Sequence, residues 1–355
     1  MKTLKALVLS GGRGTRLRPL TFTLAKQLIP LANKPVLGYV LDQVAETGIR
    51  QIGMIIAPET GNYVKEYVKD GSEWGFEVTY IPQEPLGLAH AVKTAKSFLG
   101  EDSFIMCLGD NLQGQGLTAF LKKFTKEKMD ALILLKPVDD PTKFGVVTLD
   151  EKANIMKLVE KPKESSSNLA IVGTYIFSKN IFKAIDQIIP SWRGELEITD
   201  AIQKMINLGF NVKAEILSSW WLDTGKKDDI LTANAKILDE YTKREINGTI
   251  QESKIEGRVA IRESATVVNS ILRGPCVIGD NCSIENSFIG PYTSIGNGTR
   301  IVDSSIEYSV ILEDAQITSV DRLEESLIGK NAKVTRNHRN GCLKLHVGDY
   351  SEVEI

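Results

Sequence analysis

Apolar and polar positions follow two different rhythms along this chain, and the change of rhythm divides it. In the first part, short aliphatic runs alternate with stretches of helical period. Residues 6–9, Ala6-Leu7-Val8-Leu9, form a continuous apolar run of the kind that builds a buried parallel strand. Val36, Tyr39, Val40, Gln43 and Val44 share one face of a helix predicted over 35–48, which a glycine ends. The same reading gives strands at 51–57, 78–82 and 104–108 and helices at 62–69 and 88–98. Strands and helices joined by short links predict a Rossmann-like α/β domain, a parallel sheet with helices on both faces. From residue 130 the pattern becomes mixed α+β, with strands near 131–135, 145–149 and 172–177 and helices near 180–188 and 197–208. A helix at 227–241 closes this domain, assigned to residues 1–241, and the polar stretch 242–250 reads as a linker.

The second rhythm fills 251–355. Aliphatics recur at Ile261, Val267, Leu272, Ile278, Ile284, Ile289, Ile295, Ile301, Ile306, Ile311, Ile317, Ile328 and Val334. The steps are mostly six residues with some fives, and Ile-Gly pairs fall on the beat at 278–279, 289–290, 295–296 and 328–329. This spacing predicts a left-handed parallel β-helix of stacked hexapeptide repeats, followed by a C-terminal tail. A sandwich would instead place turns every ~8–12 residues.

Ligands of open α/β sheets bind beyond the carboxyl ends of the strands. Three features fall there: the loop Gly11-Gly12-Arg13-Gly14-Thr15-Arg16, Gln83, and Asp110 in Leu108-Gly109-Asp110-Asn111. Successive backbone N–H groups of a glycine-rich loop make an anion-binding concavity, and Arg16 and Lys26 add cations. The loop lacks the Gly-Lys-Ser/Thr of a Walker A motif and the spacing of a dinucleotide G-x-G-x-x-G. A side-chain amide such as Gln83 can pair with the O4 acceptor and N3–H donor of thymine or uracil, or be a solvated loop residue. Asp110 and Asp223, the latter in Trp220-Trp221-Leu222-Asp223-Thr224-Gly225, suit a shared Mg²⁺; each alone also reads as a turn residue or cap.

The string G-G-x-G-T-R-L-x-P-L-T, followed by Lys26, Pro30 and Lys34-Pro35, resembles the signature of the sugar-nucleotide pyrophosphorylases, or nucleotidyltransferases. The resemblance covers the whole chain. Lys26-Gln27-Leu28, Gln83 with Pro85-Leu86-Gly87-Leu88-Ala89, Ser191-Trp192-Arg193-Gly194-Glu195-Leu196-Glu197-Ile198-Thr199-Asp200 and Gly348-Asp349-Tyr350-Ser351 look like its thymidylyl branch in the long form with the β-helix. The resemblance implies a Mg²⁺-dependent reaction of dTTP (or UTP) with glucose 1-phosphate, giving the nucleoside diphosphate sugar and pyrophosphate. It implies a nucleotide site of Leu9, Gly11, Gly12, Gly14, Thr15, Arg16, Gln83, Gly87 and Asp110, with Arg16, Lys26 and Asp110 catalytic. Asp110 and Asp223 would be the metal ligands. Gly145, Glu160, Lys161, Gly173, Arg193 and Glu197 would hold the sugar phosphate. Many relatives carry Tyr where this chain has Phe144, so any contact of that hydroxyl is absent here.

Composition narrows the remaining choices. The 355 residues suffice for two domains, and a net charge of −2 with scattered Lys and Arg gives no footprint for nucleic acid or membrane. Cys107, Cys276, Cys282 and Cys342 show no metal spacing and read as reduced thiols in a cytoplasmic protein. No signal peptide or transmembrane helix is expected. The flat faces of a β-helix suit a homo-oligomer. Two competing readings are an added acetyltransferase in the β-helix and a non-catalytic regulatory homologue. Residues 251–334 hold no histidine, with His338 and His346 beyond the last repeat, and Arg16, Lys26, Asp110 and Asp223 are all present.

Overall fold

The computed structural model describes residues 4–12, 14–336 and 344–354. They fall into two compact units, Met1–Arg13 with Leu37–Asp223 and Gly14–Val36 with Thr224–Ile355. In chain order come β1 (Leu4–Ser10), the short pair β2 (Pro30–Leu31) and β3 (Lys34–Pro35), α1 (Val36–Ala45), β4 (Gln51–Ile56) and α2 (Gly61–Val68). Next are β5 (Glu77–Pro82), α3 (Leu88–Thr94), α4 (Lys96–Leu99), β6 (Ser103–Leu108), β7 (Asn111–Gln113) and α5 (Thr118–Lys126). The series ends with β8 (Ala131–Pro137), β9 (Gly145–Leu149), β10 (Ile155–Glu160), β11 (Leu169–Phe177), α6 (Ile181–Ile185), α7 (Ile198–Asn207), β12 (Val212–Ile216), β13 (Trp221–Asp223) and α8 (Lys227–Tyr241).

The first unit carries the predicted parallel sheet. β5, β4, β1 and β6 lie side by side and parallel, so their carboxyl ends share one edge. The chain runs outward from β1 to β4 and β5, then returns to the other side of β1 as β6, which makes a topological switch point between β1 and β6. β11 then pairs antiparallel with β6 and carries β8 and β9, completing a nine-stranded sheet. Leu7, Met106, Ile133, Phe177 and Ile202 belong to the core on this sheet. The helix expected over 88–98 is interrupted at Ala95, which leaves helical geometry between α3 and α4. Five elements of the first unit escaped the sequence reading: β7, α5, β10, β12 and β13. β10 and β12 lie at sheet edges and bury few side chains, so neither shows an aliphatic run.

The second unit holds the β-helix. Three parallel sheets of seven, seven and five short strands form its faces. Ile250, Val267, Ile284 and Ile301 stack at intervals of 17 residues, so one coil is 17 residues long. The mixed sixes and fives of the sequence are the three sides of that coil. Inward residues such as Ile284, Ile289 and Ile295 are fully buried. The corners are stitched by side chains. Asn269 donates to Asn286 (2.8 Å) and Asn286 to Asp303 (3.1 Å), all three at positive φ. Ser270 Oγ accepts from the Ser287 N–H at 3.0 Å and Ser287 Oγ from the Ser304 N–H at 3.1 Å.

Two expectations change here. The segment 242–250 is no free linker, because it contains strands Glu245–Ile246 and Thr249–Gln251 of the first coil. Its polar composition hid them; Ile250 is the one residue that packs on the core. His346 does not lie beyond the last repeat either. Strand His346–Val347 pairs in parallel with Leu327–Ile328, and a connection longer than the usual coil masks the beat. His338 and Cys342 lie outside the described residues. Cys107, Cys276 and Cys282 are free and buried, and burial pushes the Cys276 thiol up to about 12. No helix among the described residues is long and apolar enough to cross a membrane.

A buried amide helps to join α8 and the β2–β3 hairpin to the β-helix. Asn234, fully buried on α8, accepts from the Ala32 N–H (2.9 Å) and the Ser294 hydroxyl (2.6 Å) and donates to the Tyr292 carbonyl (3.1 Å). Asn234→Leu keeps the volume and strands these three groups, so a loss of about 2–4 kcal/mol is expected in urea unfolding. A loss below about 0.5 kcal/mol would show that the amide does not hold this unit together.

Candidate active site

The shared edge of the parallel strands gathers the first set of expected residues. Leu9, near the end of β1, is a core side chain, and its carbonyl accepts from the Gly109 N–H at 2.9 Å. Gly11 follows, and a Cβ added there would stand 3.5 Å from Gln83 Oε1. Gln83 leaves β5 with its N–H donating to the Ile56 carbonyl at 3.0 Å, and the residue is 7% exposed. Its Nε2 lies 3.0 Å from His90 Nδ1 and 3.4 Å from the Gly87 carbonyl. Gly87 sits at φ 106, where an added Cβ would come within 2.4 Å of the Leu196 carbonyl oxygen. A glycine is required for the loop to cross Leu196, whose N–H donates to the Leu86 carbonyl at 2.8 Å.

Asp110 occupies the turn between β6 and β7 and is 6% exposed. β13 pairs antiparallel with β7, setting Asp223 opposite Asn111, the residue after Asp110. Two carboxylate-bearing residues far apart in sequence therefore lie on adjacent backbone segments. No cluster of three or more His, Cys, Asp or Glu side chains suited to a metal occurs among the described residues. A pair of this kind fits a hard divalent cation that takes its other ligands from phosphate and water.

The expected sugar-phosphate residues also come together in the first unit. Gly145 pairs with Glu160 across β9 and β10, and an added Cβ would meet Thr199 Cγ2 at 2.8 Å and Glu160 Oε2 at 3.1 Å. Arg193 is the hub. Its guanidinium lies 3.5 Å from Glu160, 2.8 Å from Glu195 and 3.3 Å from Glu197. Ser191 Oγ donates to Glu197 at 2.8 Å, and Thr199 Oγ1 to Glu160 at 3.4 Å. Lys161 Nζ is 4.0 Å from Glu160, on a backbone at φ 40 that side chains other than glycine rarely adopt. Gly173, at φ 75, lets β11 pass Leu108 and Asn111, which an added Cβ would approach to 2.8 and 3.1 Å. Phe144 packs edge-on against Trp221 at 5.1 Å, and Trp221 Nε1 donates to Asn111 Oδ1 at 2.9 Å.

Burial, then the Glu197 charge, raises the Glu160 carboxyl above its ordinary value despite Lys161 and Arg193. Glu197 is raised as well, first by burial. Burial makes charging either group costly, and hydrogen-bond donors from a ligand would relieve that cost.

The remaining expected residues belong to the second unit, except Gly12, which stays with the first. Gly14 is at φ 64, and an added Cβ would meet Lys26 Cβ at 2.9 Å and Thr21 Cγ2 at 3.0 Å. Its carbonyl accepts from Thr21 Oγ1 at 2.7 Å. Thr15 and Arg16 are exposed on the short turn that follows. Arg16 lines a hollow of about 530 Å³ with Lys226, Lys227, Asp228 and Lys344.

A family model described as nucleotidyl transferase matches residues 5–240. The chain belongs to the nucleotidyl transferase family. A glucose-1-phosphate thymidylyltransferase from Streptomyces antibioticus is 45% identical to it over 356 residues, 99% of each chain. The low-salt glycan biosynthesis nucleotidyltransferase Agl11 of Haloferax volcanii is 43% identical, over 93% of this chain and 94% of its own. A crystal structure from Bacillus anthracis that carries the name glucose-1-phosphate thymidylyltransferase, with sucrose bound, superposes with a TM-score of 0.62 at 33% identity, over 66% of this chain and 95% of that one. This nucleotidyl transferase is thus an enzyme that moves a nucleotidyl group from a nucleoside triphosphate to a sugar 1-phosphate, and its family uses a divalent metal.

Sequence reasoning gave no role to His90, Thr199 or Ser191. His90 is separated from Gln83 by a loop with a positive-φ glycine, so no periodic spacing links the two. A carboxyl with a raised folded-state pKa contributes most when protonated, and its contribution is lost as pH climbs from the ordinary range through the raised value. Glu160→Gln removes that loss. The stability of the variant relative to the parent is therefore expected to grow in urea unfolding as pH rises from the ordinary carboxylate range. A constant or shrinking difference would refute the raised carboxyl.

Proposed function

We propose that this nucleotidyl transferase joins the thymidylyl group of dTTP to glucose 1-phosphate, giving dTDP-glucose and pyrophosphate. The observation that carries the reading is the relationship to the Streptomyces antibioticus thymidylyltransferase across 99% of both chains. The open amide oxygen of Gln83 beside Gly11 supports a base with an N–H donor. In the reaction a phosphate oxygen of the sugar phosphate attacks the α-phosphorus. A new P–O bond forms, the α–β bridge breaks, and its electron pair leaves with pyrophosphate. The attacking group needs no base, because a phosphate monoester with a second pKa of about 6 is already dianionic at neutral pH. What the protein supplies is placement and counter-charge.

Glu160 accepts hydrogen bonds from sugar hydroxyls, beside the backbones of Gly145 and Gly173. Arg193 and Lys161 hold the sugar's phosphate, and Glu197 fixes the guanidinium. Gly11, Gly12, Gly14 and Thr15 offer backbone donors to the triphosphate, and Arg16 and Lys26 its counter-charge. Leu9 sets the end of β1, and Gly87 the base loop. Asp110 and Asp223 hold Mg²⁺, which neutralises charge at the α-phosphate. Self-association through the β-helix faces and a cytoplasmic location belong to the same reading.

UTP is the second reading, because only the C5 methyl separates its base from thymine and a methyl in a pocket discriminates by about 10–200-fold. An acyl-transfer role for the β-helix has one foothold. His346 Nε2 is buried with no hydrogen-bond partner among the described residues, and burial lowers the imidazole's pKa. Acetyl-CoA turnover tests it directly.

Pyrophosphate release with Mg²⁺ across dTTP, UTP, GTP and ATP against glucose, mannose and N-acetylglucosamine 1-phosphates tests the proposal. Highest kcat/KM for dTTP with glucose 1-phosphate is expected, and a preference for another pair would replace the assignment. Asp110→Asn and Asp223→Asn are each expected to lower kcat by about 10²–10³-fold with an unchanged melting temperature. A variant that keeps full turnover removes its residue from the metal site.

A further inference from the structure

The Gln83 amide is turned in a way that the base-binding role alone does not require. Its Nε2 faces inward, 3.0 Å from His90 Nδ1 and 3.4 Å from the Gly87 carbonyl oxygen. The carbonyl can only accept, so this end of the side chain must be the NH₂ group. The Oε1 end faces Gly11, whose added Cβ would lie 3.5 Å away. Oε1 takes no hydrogen bond among the described residues, although the side chain is 7% exposed. An acceptor left open at this edge is free to meet a ligand donor.

We propose that His90 is a positioning residue for base selection: by accepting from Gln83 Nε2 it holds the amide with its oxygen toward the nucleotide loop. The inference rests on the base role proposed above for Gln83. Acceptance at Nδ1 requires the His90 proton on Nε2. With both Nε2 hydrogens directed inward, Oε1 alone addresses the base. It accepts from the N3–H of thymine or uracil. Cytosine presents a lone pair at N3, and two acceptors would then face each other. His90 is placed for this by the first turns of α3, where Gly87 at φ 106 turns the chain back toward Gln83.

The test compares dTTP and dCTP, each with glucose 1-phosphate, for the parent enzyme, His90→Leu and His90→Gln. His90→Leu frees the amide to rotate and present Nε2 to cytosine. The kcat/KM ratio of dTTP to dCTP is expected to fall about tenfold, through KM, with kcat for dTTP within about twofold of the parent. His90→Gln, which offers an acceptor again, is expected to recover most of the ratio. An unchanged ratio in His90→Leu overturns the proposal and leaves the Gln83 base role standing. Equal losses in both variants also overturn it, by reducing His90 to packing. A parent that uses dCTP as well as dTTP removes the base role itself. Independently of any variant, the ¹⁵N shifts of His90 in the parent at mildly alkaline pH are expected to show a bare Nδ1 and a protonated Nε2. The opposite tautomer refutes the inference.

Discussion

The parallel register of β1 against β6 is the constraint on which the first unit's chemistry depends. Leu9 lies opposite Leu108, and the Gly109 N–H closes the ladder on the Leu9 carbonyl. Neighbouring strands stand about 4.8 Å apart, so the loops leaving β1 and β6 start side by side. Gly11 and Asp110 are thereby fixed at one edge before any side chain is considered. The antiparallel return of β11 along β6 then brings Gly173 beside Asn111, and the β13–β7 pair brings Asp223 opposite it. A sheet that reverses direction only beyond β6 keeps the parallel ends open on one side and lays a second group of residues against them.

The Arg193 cluster shows how that edge is charged. Three carboxylates surround Arg193, and two of them, Glu160 and Glu197, are held above their ordinary pKa by burial. An arrangement chosen for stability alone would pair one carboxylate with one cation and leave both near water. The surplus of buried acceptors matches hydroxyl donors, and the cation between them matches a phosphate. Lys161 at φ 40 and the close packing at Gly145 are strains of the same kind, tolerated where the surroundings over-determine the backbone.

Legibility in the sequence followed burial. β1, β4 and β6 are continuous aliphatic runs because both faces are covered, and they could be read directly. β10, Ile-Met-Lys-Leu-Val-Glu, buries only Leu158 fully enough to register, and so the strand that ends on Glu160 was invisible although Glu160 itself was picked out by its motif. The β-helix beat was plain because every coil needs one inward aliphatic per side. Its first coil and the place of His346 were lost where polar residues or a longer connection broke the beat. Asp110 and Asp223 were picked out by motif resemblance, but the two-strand pairing that sets Asp223 opposite Asn111 joins segments far apart in the chain and carries no local signal. The Gln83–His90 contact is of the same sort.

The composition of the second unit ties the residues after the glycine loop to the β-helix. The segment Gly14–Val36, with Arg16 and Lys26, is embedded in it. Thr23 donates to Asp349 at 2.5 Å, and an added Cβ on Gly348 would meet Pro19 at 2.9 Å, so the last coil packs on the turn after the glycine loop. Asn33 donates to the Ile295 carbonyl at 2.7 Å, and Asn234 ties the hairpin and α8 to the same coil face. Leu17, Leu20, Ile29 and Leu31 of this segment are fully buried, and these contacts add to that anchorage. Ordering such a segment costs about 1–2 kcal/mol of conformational entropy per residue and needs a firm support. The β-helix, stiff because every coil is bonded to the next, supplies it.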